Sequence, residues 1–158
     1  MERMRDIDII SQISGLLSWD QEVLMPPKAA SLRAEQLAWL SSIGHAKMTD
    51  EKVGELLEEL VGDSELNEIE RGNLRLIRNS YNKATKLPTE FVIEISKHRS
   101  KAMITWTKAR AENDFSIFRD DLKKMIDLVR QEADYLGYDE LRYDALLDNY
   151  ESGLTVSR

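Results

Sequence analysis

The sequence predicts an all-α protein, an array of about seven amphipathic helices, and three observations predict it. Apolar residues recur at spacings of three and four along most of the chain. No segment sustains the two-residue alternation of a half-buried strand, and only 7 glycines and 3 prolines interrupt 158 residues. A composition 42% hydrophobic and 32% charged is that of a globular chain. This length can bury roughly two-thirds of the surface that the unfolded chain exposes. Residues 1–158 read as a single helical domain, without internal repeat, low-complexity tract or linker.

The first helix is expected from about Asp6 to Leu24, striped by Ile9, Ile10, Ile13, Leu16, Leu17 and Val23, and ended by Met25-Pro26-Pro27, where two prolines enforce a short extended link. A second, about Lys28 to Lys47, puts Leu37, Leu40, Ile43 and Gly44 on one face. Thr49 offers a cap for a short third helix carrying Val53, Leu56, Leu57 and Leu60. Gly62-Asp63-Ser64 reads as a stop followed by a new cap, and Ile69, Leu76, Ile77 and Tyr81 stripe a fourth helix to about Thr85. Pro88 suits the first turn of a long fifth helix with Phe91, Ile95, Ala102, Trp106 and Ala109 inward. Asn113-Asp114 caps a sixth with Phe118, Leu122, Met125, Ile126, Val129, Ala133 and Leu136, closed by Gly137 in a left-handed conformation. The seventh, about Asp139 to Tyr150, carries Leu146 and Leu147 and breaks at Glu151-Ser152-Gly153.

Composition narrows the function classes. A net charge of -7 leaves no field to attract a polyphosphate, so nucleic acid is not an expected partner. Zero cysteines remove disulfides, thiolate metal sites and cysteine nucleophiles, and the residues after Met1 lack the apolar core of a signal peptide, so the cytoplasm is the expected location. No apolar run approaches the roughly 20 residues that span a bilayer, and no membrane partner is expected.

Metal chemistry finds no template. His-Glu-x-x-His sets two histidines four apart on one helix face, whereas His45 and His98 each lack such a neighbour. The Glu-x-x-His spacing of di-iron bundles also fails, since Ser42 and Ile95 stand three residues before them. Each histidine is therefore expected to be structural, His98 as a partly buried ring beside the Glu94 carboxylate. The neighbouring acids Glu58-Glu59, Asp120-Asp121 and Glu132 with Asp134 diverge by about 100° per residue and are expected on solvated faces. No Gly-rich phosphate loop or nucleophile elbow is present, so no catalytic, cofactor-binding or metal-ligating residue is assigned. One corner breaks a local rule: Asp20 and Glu22 sit at the C-terminal end of helix one, where the helix dipole disfavours negative charge, and Arg33 beyond the prolines is the expected counter-charge. Trp19 and Met25 are expected to be largely buried there.

Leu17-Ser18-Trp19-Asp20-Gln21-Glu22-Val23-Leu24-Met25-Pro26-Pro27, followed by Arg33-Ala34-Glu35-Gln36-Leu37-Ala38-Trp39-Leu40, resembles the opening of the thermostable, Taq-type zinc metallocarboxypeptidases. Ala84-Thr85-Lys86-Leu87-Pro88, the run from Trp106 to Phe115, Glu132-Ala133-Asp134-Tyr135-Leu136-Gly137-Tyr138 and the run from Tyr143 to Glu151 continue it in the family's order and spacing. Ser152 stands where the family usually has proline. The resemblance implies the N-terminal helical part of a zincin-like carboxypeptidase, an enzyme that removes single residues from peptide C-termini and usually forms a homodimer. It also implies that the zinc, or another divalent metal, and its ligands belong to a downstream region, so this chain alone is catalytically incomplete. Two functions are carried forward: an N-terminal fragment or truncated relative of that carboxypeptidase, and a free-standing helical binding or oligomerisation module.

Overall fold

The computed structural model describes residues 2–151 and 153–157, with Glu2 described in its backbone alone. Among them are seven α-helices and no strand: α1 Glu2–Val23, α2 Ala30–Met48, α3 Glu51–Glu59, α4 Glu68–Ala84, α5 Thr89–Glu112, α6 Ser116–Leu136 and α7 Asp144–Leu147. A 3₁₀ turn at Pro27–Ala29 leads from the extended Pro26 into α2. The all-α class and the helix count are as the periodicity predicts.

Caps decide where the elements begin, and those of α3 and α4 differ from expectation. Thr49 closes α2, its hydroxyl donating to the His45 carbonyl at 2.9 Å, while Asp50 caps α3 by accepting from the Lys52 N–H at 2.9 Å. A carboxylate is the stronger acceptor at the positive end of a helix, so the aspartate takes the cap. Ser64 yields to Asn67 for a related reason. Asn67 and Glu70 exchange side-chain to backbone hydrogen bonds of 3.0 and 2.9 Å, a reciprocal capping box that satisfies two otherwise orphaned donors. The seventh helix is a single turn rather than Asp139 to Tyr150. Asp144 and Asp148 instead accept from the backbone N–H groups of Val156 and Gly153, at 2.8 Å each, and so stabilise a loop in place of a helix. Ser152, within the expected break, lies outside the described residues. Gly137 follows α6 at φ 80°, ψ 150°, which is positive φ with an extended ψ rather than the left-handed helical conformation, a region that is essentially glycine-only.

The helices pack as a row: α1 on α2, α2 on α5, α5 on α6, with the α3–α4 pair beside α2 and α7 at the end of α6. Arg3–Asp50 and Lys47–Asp6 join the start of α1 to the end of α2, and Arg33–Asp20 joins the end of α1 to the start of α2, so the two run antiparallel. The core lies between α5 and α6, where Phe91 and Ile95 close on Leu128 with Leu87 beside them, and the Tyr135 ring meets Phe91 edge-on at 5.1 Å. Leu128, absent from the expected stripe of α6, is fully buried, while Ile126, expected inward, is exposed. Ile69 and Leu76 on α4 and Trp106 on α5 are likewise exposed. A stripe read from one helix identifies apolar positions, but which of them meets a neighbour depends on how the row is assembled.

Candidate functional site

The corner between α1 and α2 is built by one cation. Arg33 enters from the first turns of α2 with its side chain 12% exposed, and pairs with the Asp20 carboxylate at 2.5 Å. It also donates to the Leu17 carbonyl at 2.5 Å and to the Gln36 side chain at 3.1 Å. The expected counter-charge is therefore in place, and it neutralises an acid that the end of α1 disfavours. Trp19 contradicts its expectation. It is 52% exposed, because α2 lies against the Ile10–Leu17 side of α1 and Trp19 stands on the far side; Met25 is half-buried.

The histidines hold helices together. His45 on α2 places Nε2 3.0 Å from the Ala84 carbonyl at the end of α4 and Nδ1 3.2 Å from the Thr89 hydroxyl at the start of α5. A ring protonated on Nε2 donates to the carbonyl and accepts from the threonine, so both nitrogens are spent. His98 on α5 sets Nε2 2.8 Å from the Asp121 carbonyl on α6. Its expected carboxylate partner, Glu94, pairs with Lys124 instead, at 2.5 Å.

The neighbouring acids also divide. Glu58 meets Arg78 at 3.0 Å, Glu132 meets Arg99 at 3.3 Å, and Asp134 meets Arg142 at 2.9 Å. Asp121 departs from the solvated-face expectation: it is 7% exposed, between α5 and α6, and accepts from Lys101 at 2.7 Å. Burial pushes its carboxyl up, but hydrogen bonds from Lys101 and Thr105 and the charges of Lys101 and His98 outweigh burial and hold it below the usual carboxylate range. Among the described residues no three His, Asp or Glu side chains converge as a metal-ligand set. Both histidines place Nε2 at a backbone carbonyl, and among the described residues neither belongs to the three-ligand set that a catalytic zinc takes.

The row of helices carries a hollow on each of two sides. One carries a groove of about 380 Å³ between α1 and α5, floored by Leu37 and Ser41 of α2 and lined by Ser14, Ser18, Ser96 and Ser100. Across it the Ser100 hydroxyl donates to the Gln21 side chain at 2.6 Å, and the Ser41 and Ser96 hydroxyls lie 3.1 Å apart. Glu22 and Arg99 add opposite charges to its walls. The other side has a shallow hollow of about 510 Å³ where Leu32 and Trp39 of α2, flanked by Glu35, Gln36 and Ser42, meet Ile93 and Lys97 of α5. Sequence reasoning passed over the groove because Gln21 and Ser100 are 79 positions apart. Its local signal is the four-residue spacing of Ser14 with Ser18 and of Ser96 with Ser100, which puts each pair on one helix face.

Comparison with known proteins gives one consistent answer. The family model described as carboxypeptidase Taq (M32) metallopeptidase matches residues 1–158. Thermostable carboxypeptidase 1 of Pyrococcus furiosus is 39% identical over 154 residues, 98% of this chain and 31% of that protein. Thermostable carboxypeptidase 1 of Thermus thermophilus is 32% identical over 167 residues, 98% of this chain and 32% of that protein. Among solved structures, the BsuCP crystal structure superposes with a TM-score of 0.94 at 30% identity, over 99% of this chain and 32% of that one. The chain thus spans about a third of the length of each of these relatives.

Proposed function

The chain belongs to the carboxypeptidase Taq (M32) family of metallopeptidases, and from that membership we propose that it forms the N-terminal helical wall of a metal-dependent carboxypeptidase. In this reading it shapes and gates a peptide cleft, while zinc or another divalent metal, its ligands and the groups that grip the substrate belong to the further two-thirds that the relatives carry. One observation carries the reading: nearly all of this chain matches about a third of a carboxypeptidase. The commitment of both histidines to interhelical hydrogen bonds supports placing the metal elsewhere. Within the reading, the serine-lined groove faces the cleft, where hydroxyls and one amide offer hydrogen bonds to an extended peptide. Pairing of two copies and a cytoplasmic location belong to the same proposal; the second rests on the cysteine-free composition.

The test compares this chain alone with this chain joined to the downstream two-thirds of the Pyrococcus relative, each with zinc or cobalt and an acyl-dipeptide. The isolated chain should release no C-terminal residue and gain no thermal stability from metal, since it offers no ligand set for binding to stabilise. The joined protein should release it. Metal-dependent release by the pure isolated chain, or an inert joined protein, overturns the proposal.

A further inference from the structure

We propose that the apolar side of the α1–α2 layer, carried by Ile9, Ile13, Leu16, Leu32 and Trp39, is the seam on which the remaining two-thirds of the carboxypeptidase seats in the same polypeptide. The inference rests on the reading above and names the face through which that wall joins the enzyme.

Helix geometry defines the seam. On α2, Arg33 and Gly44 turn toward α1, where an added Cβ at Gly44 would lie 3.5 Å from Ile10, while Ser41 and His45 turn toward Ser96 and Thr89 of α5. Leu32 and Trp39, seven residues apart and therefore on one face, point away from both neighbours and are 59% and 65% exposed. On α1, Ile9 and Leu16 repeat the seven-residue spacing with Ile13 between them, and all three are exposed. None of these five lines the serine groove, which occupies the opposite side of the layer. Other large exposed side chains lie outside this set, including Trp19, Val23 and Leu24 at the end of α1, Ile69 and Leu76 on α4, and Trp106 and Phe115 near the α5–α6 turn.

Area identifies the occupant. The chain exposes 11069 Å², whereas a compact monomer of its mass exposes about 8,100 Å². The surplus is on the order of 3,000 Å², several times the roughly 800 Å² that each partner contributes to a standard interface. A second copy of standard size would leave most of that surplus in water. The larger remainder that the Pyrococcus and Thermus relatives carry is of the right scale, and an apolar side is what a core divided between two parts of one chain presents.

The chain has no cysteine, so Leu32→Cys gives a thiol whose modification by a maleimide can be mapped by mass spectrometry, in the isolated chain and in the protein joined to the Pyrococcus downstream region. Leu32 is already exposed, so the substitution leaves the fold of the wall intact. Modification slowed by about tenfold or more in the joined protein supports the seam, because buried thiols are unreactive. Equal rates in the two proteins overturn it, even where the joined protein releases C-terminal residues and the proposed function stands. Protection that already appears in the isolated chain, grows with its concentration and does not deepen on joining assigns the face to a second copy and also overturns it. A joined protein without peptidase activity defeats the carboxypeptidase reading, whatever the thiol reports.

Discussion

At the first corner, the Arg33 guanidinium commits its donors to the Asp20 carboxylate, the Leu17 carbonyl and the Gln36 side chain, whereas half of the Trp19 ring stands in water. Removing hydrogen bonds made by a charged group costs about 1.5–3 kcal/mol, so Arg33→Ala is expected to fall in that range. Trp19→Ala gives up only part of a side chain's burial, about 1–2 kcal/mol. Urea unfolding of the two variants measures the order, and a larger loss for Trp19→Ala would mean that the ring is covered in solution. A second residue is fixed by space. A Cβ added at Gly54 would overlap Tyr81 Oη and lie 2.9 Å from Cζ, so Gly54→Ala should destabilise the α3–α4 pair by about 1–3 kcal/mol through overpacking. Adding Tyr81→Phe removes only the nearer atom, and the double variant should recover part of the loss.

The elements are held at their ends. Asn67→Ala removes one half of the capping box of α4 and should cost about 1 kcal/mol, read as lower helicity and an earlier unfolding midpoint. Gly137→Ala should cost at least as much, on the order of 1–3 kcal/mol, because its backbone at φ 80°, ψ 150° suits essentially no residue but glycine. Lys86, between α4 and α5, donates to the Leu136 carbonyl at 2.6 Å and so satisfies the last turn of α6 from outside it. Between α5 and α6 the buried Asp121 carboxylate is held by Lys101, and its depressed pKa makes it a stabilising group above the ordinary aspartate range. That contribution is fully present above about pH 5 and is lost as pH falls toward the lower folded-state pKa. The stability gap between the native chain and Asp121→Asn should therefore be widest above about pH 5 and close on acidification, a trend that urea titrations at several pH values would follow.

For the whole molecule, several depressed carboxylates act together. Hydrogen bonds from Lys83 and the Gly153 N–H hold Asp148 below its ordinary range, and Asp6, Asp50 and Asp114 are depressed by partners of the same kinds. Each stabilises the fold above the unfolded-state pKa and loses that effect as pH falls, so acid unfolding should begin below about pH 4 and be steeper than a single group would give. Lys83–Asp148 ties the segment after α7 to α4, so that segment should loosen early in the acid transition, read as faster amide exchange at its backbone. The excess surface has its own consequence. The isolated chain should associate with itself at high concentration, because its apolar side lacks a cover, and sedimentation equilibrium checks this. A persistent 18.2 kDa species would show that water tolerates the exposed side.

Spacing and punctuation in the sequence determined the helical class, the number of helices and most of their limits, since apolar periodicity and the proline breaks act within a few residues of themselves. The motif order from Leu17 to Glu151 likewise determined the family, because a family signature is a property of the linear chain. What the tertiary structure alone decided is which competing group wins and which apolar residue finds a neighbour. Thr49 and Ser64 are sound caps until Asp50 and Asn67 are placed beside them. Glu94 is a reasonable partner for His98 until α6 brings the Asp121 carbonyl to one ring nitrogen and Lys124 to the glutamate. Trp19 and Leu128 are both apolar positions on amphipathic helices, yet one is half in water and the other wholly enclosed. Burial is a relation between helices distant in sequence: a single helix specifies which faces are apolar, and only the packing of the row specifies which of those faces is covered.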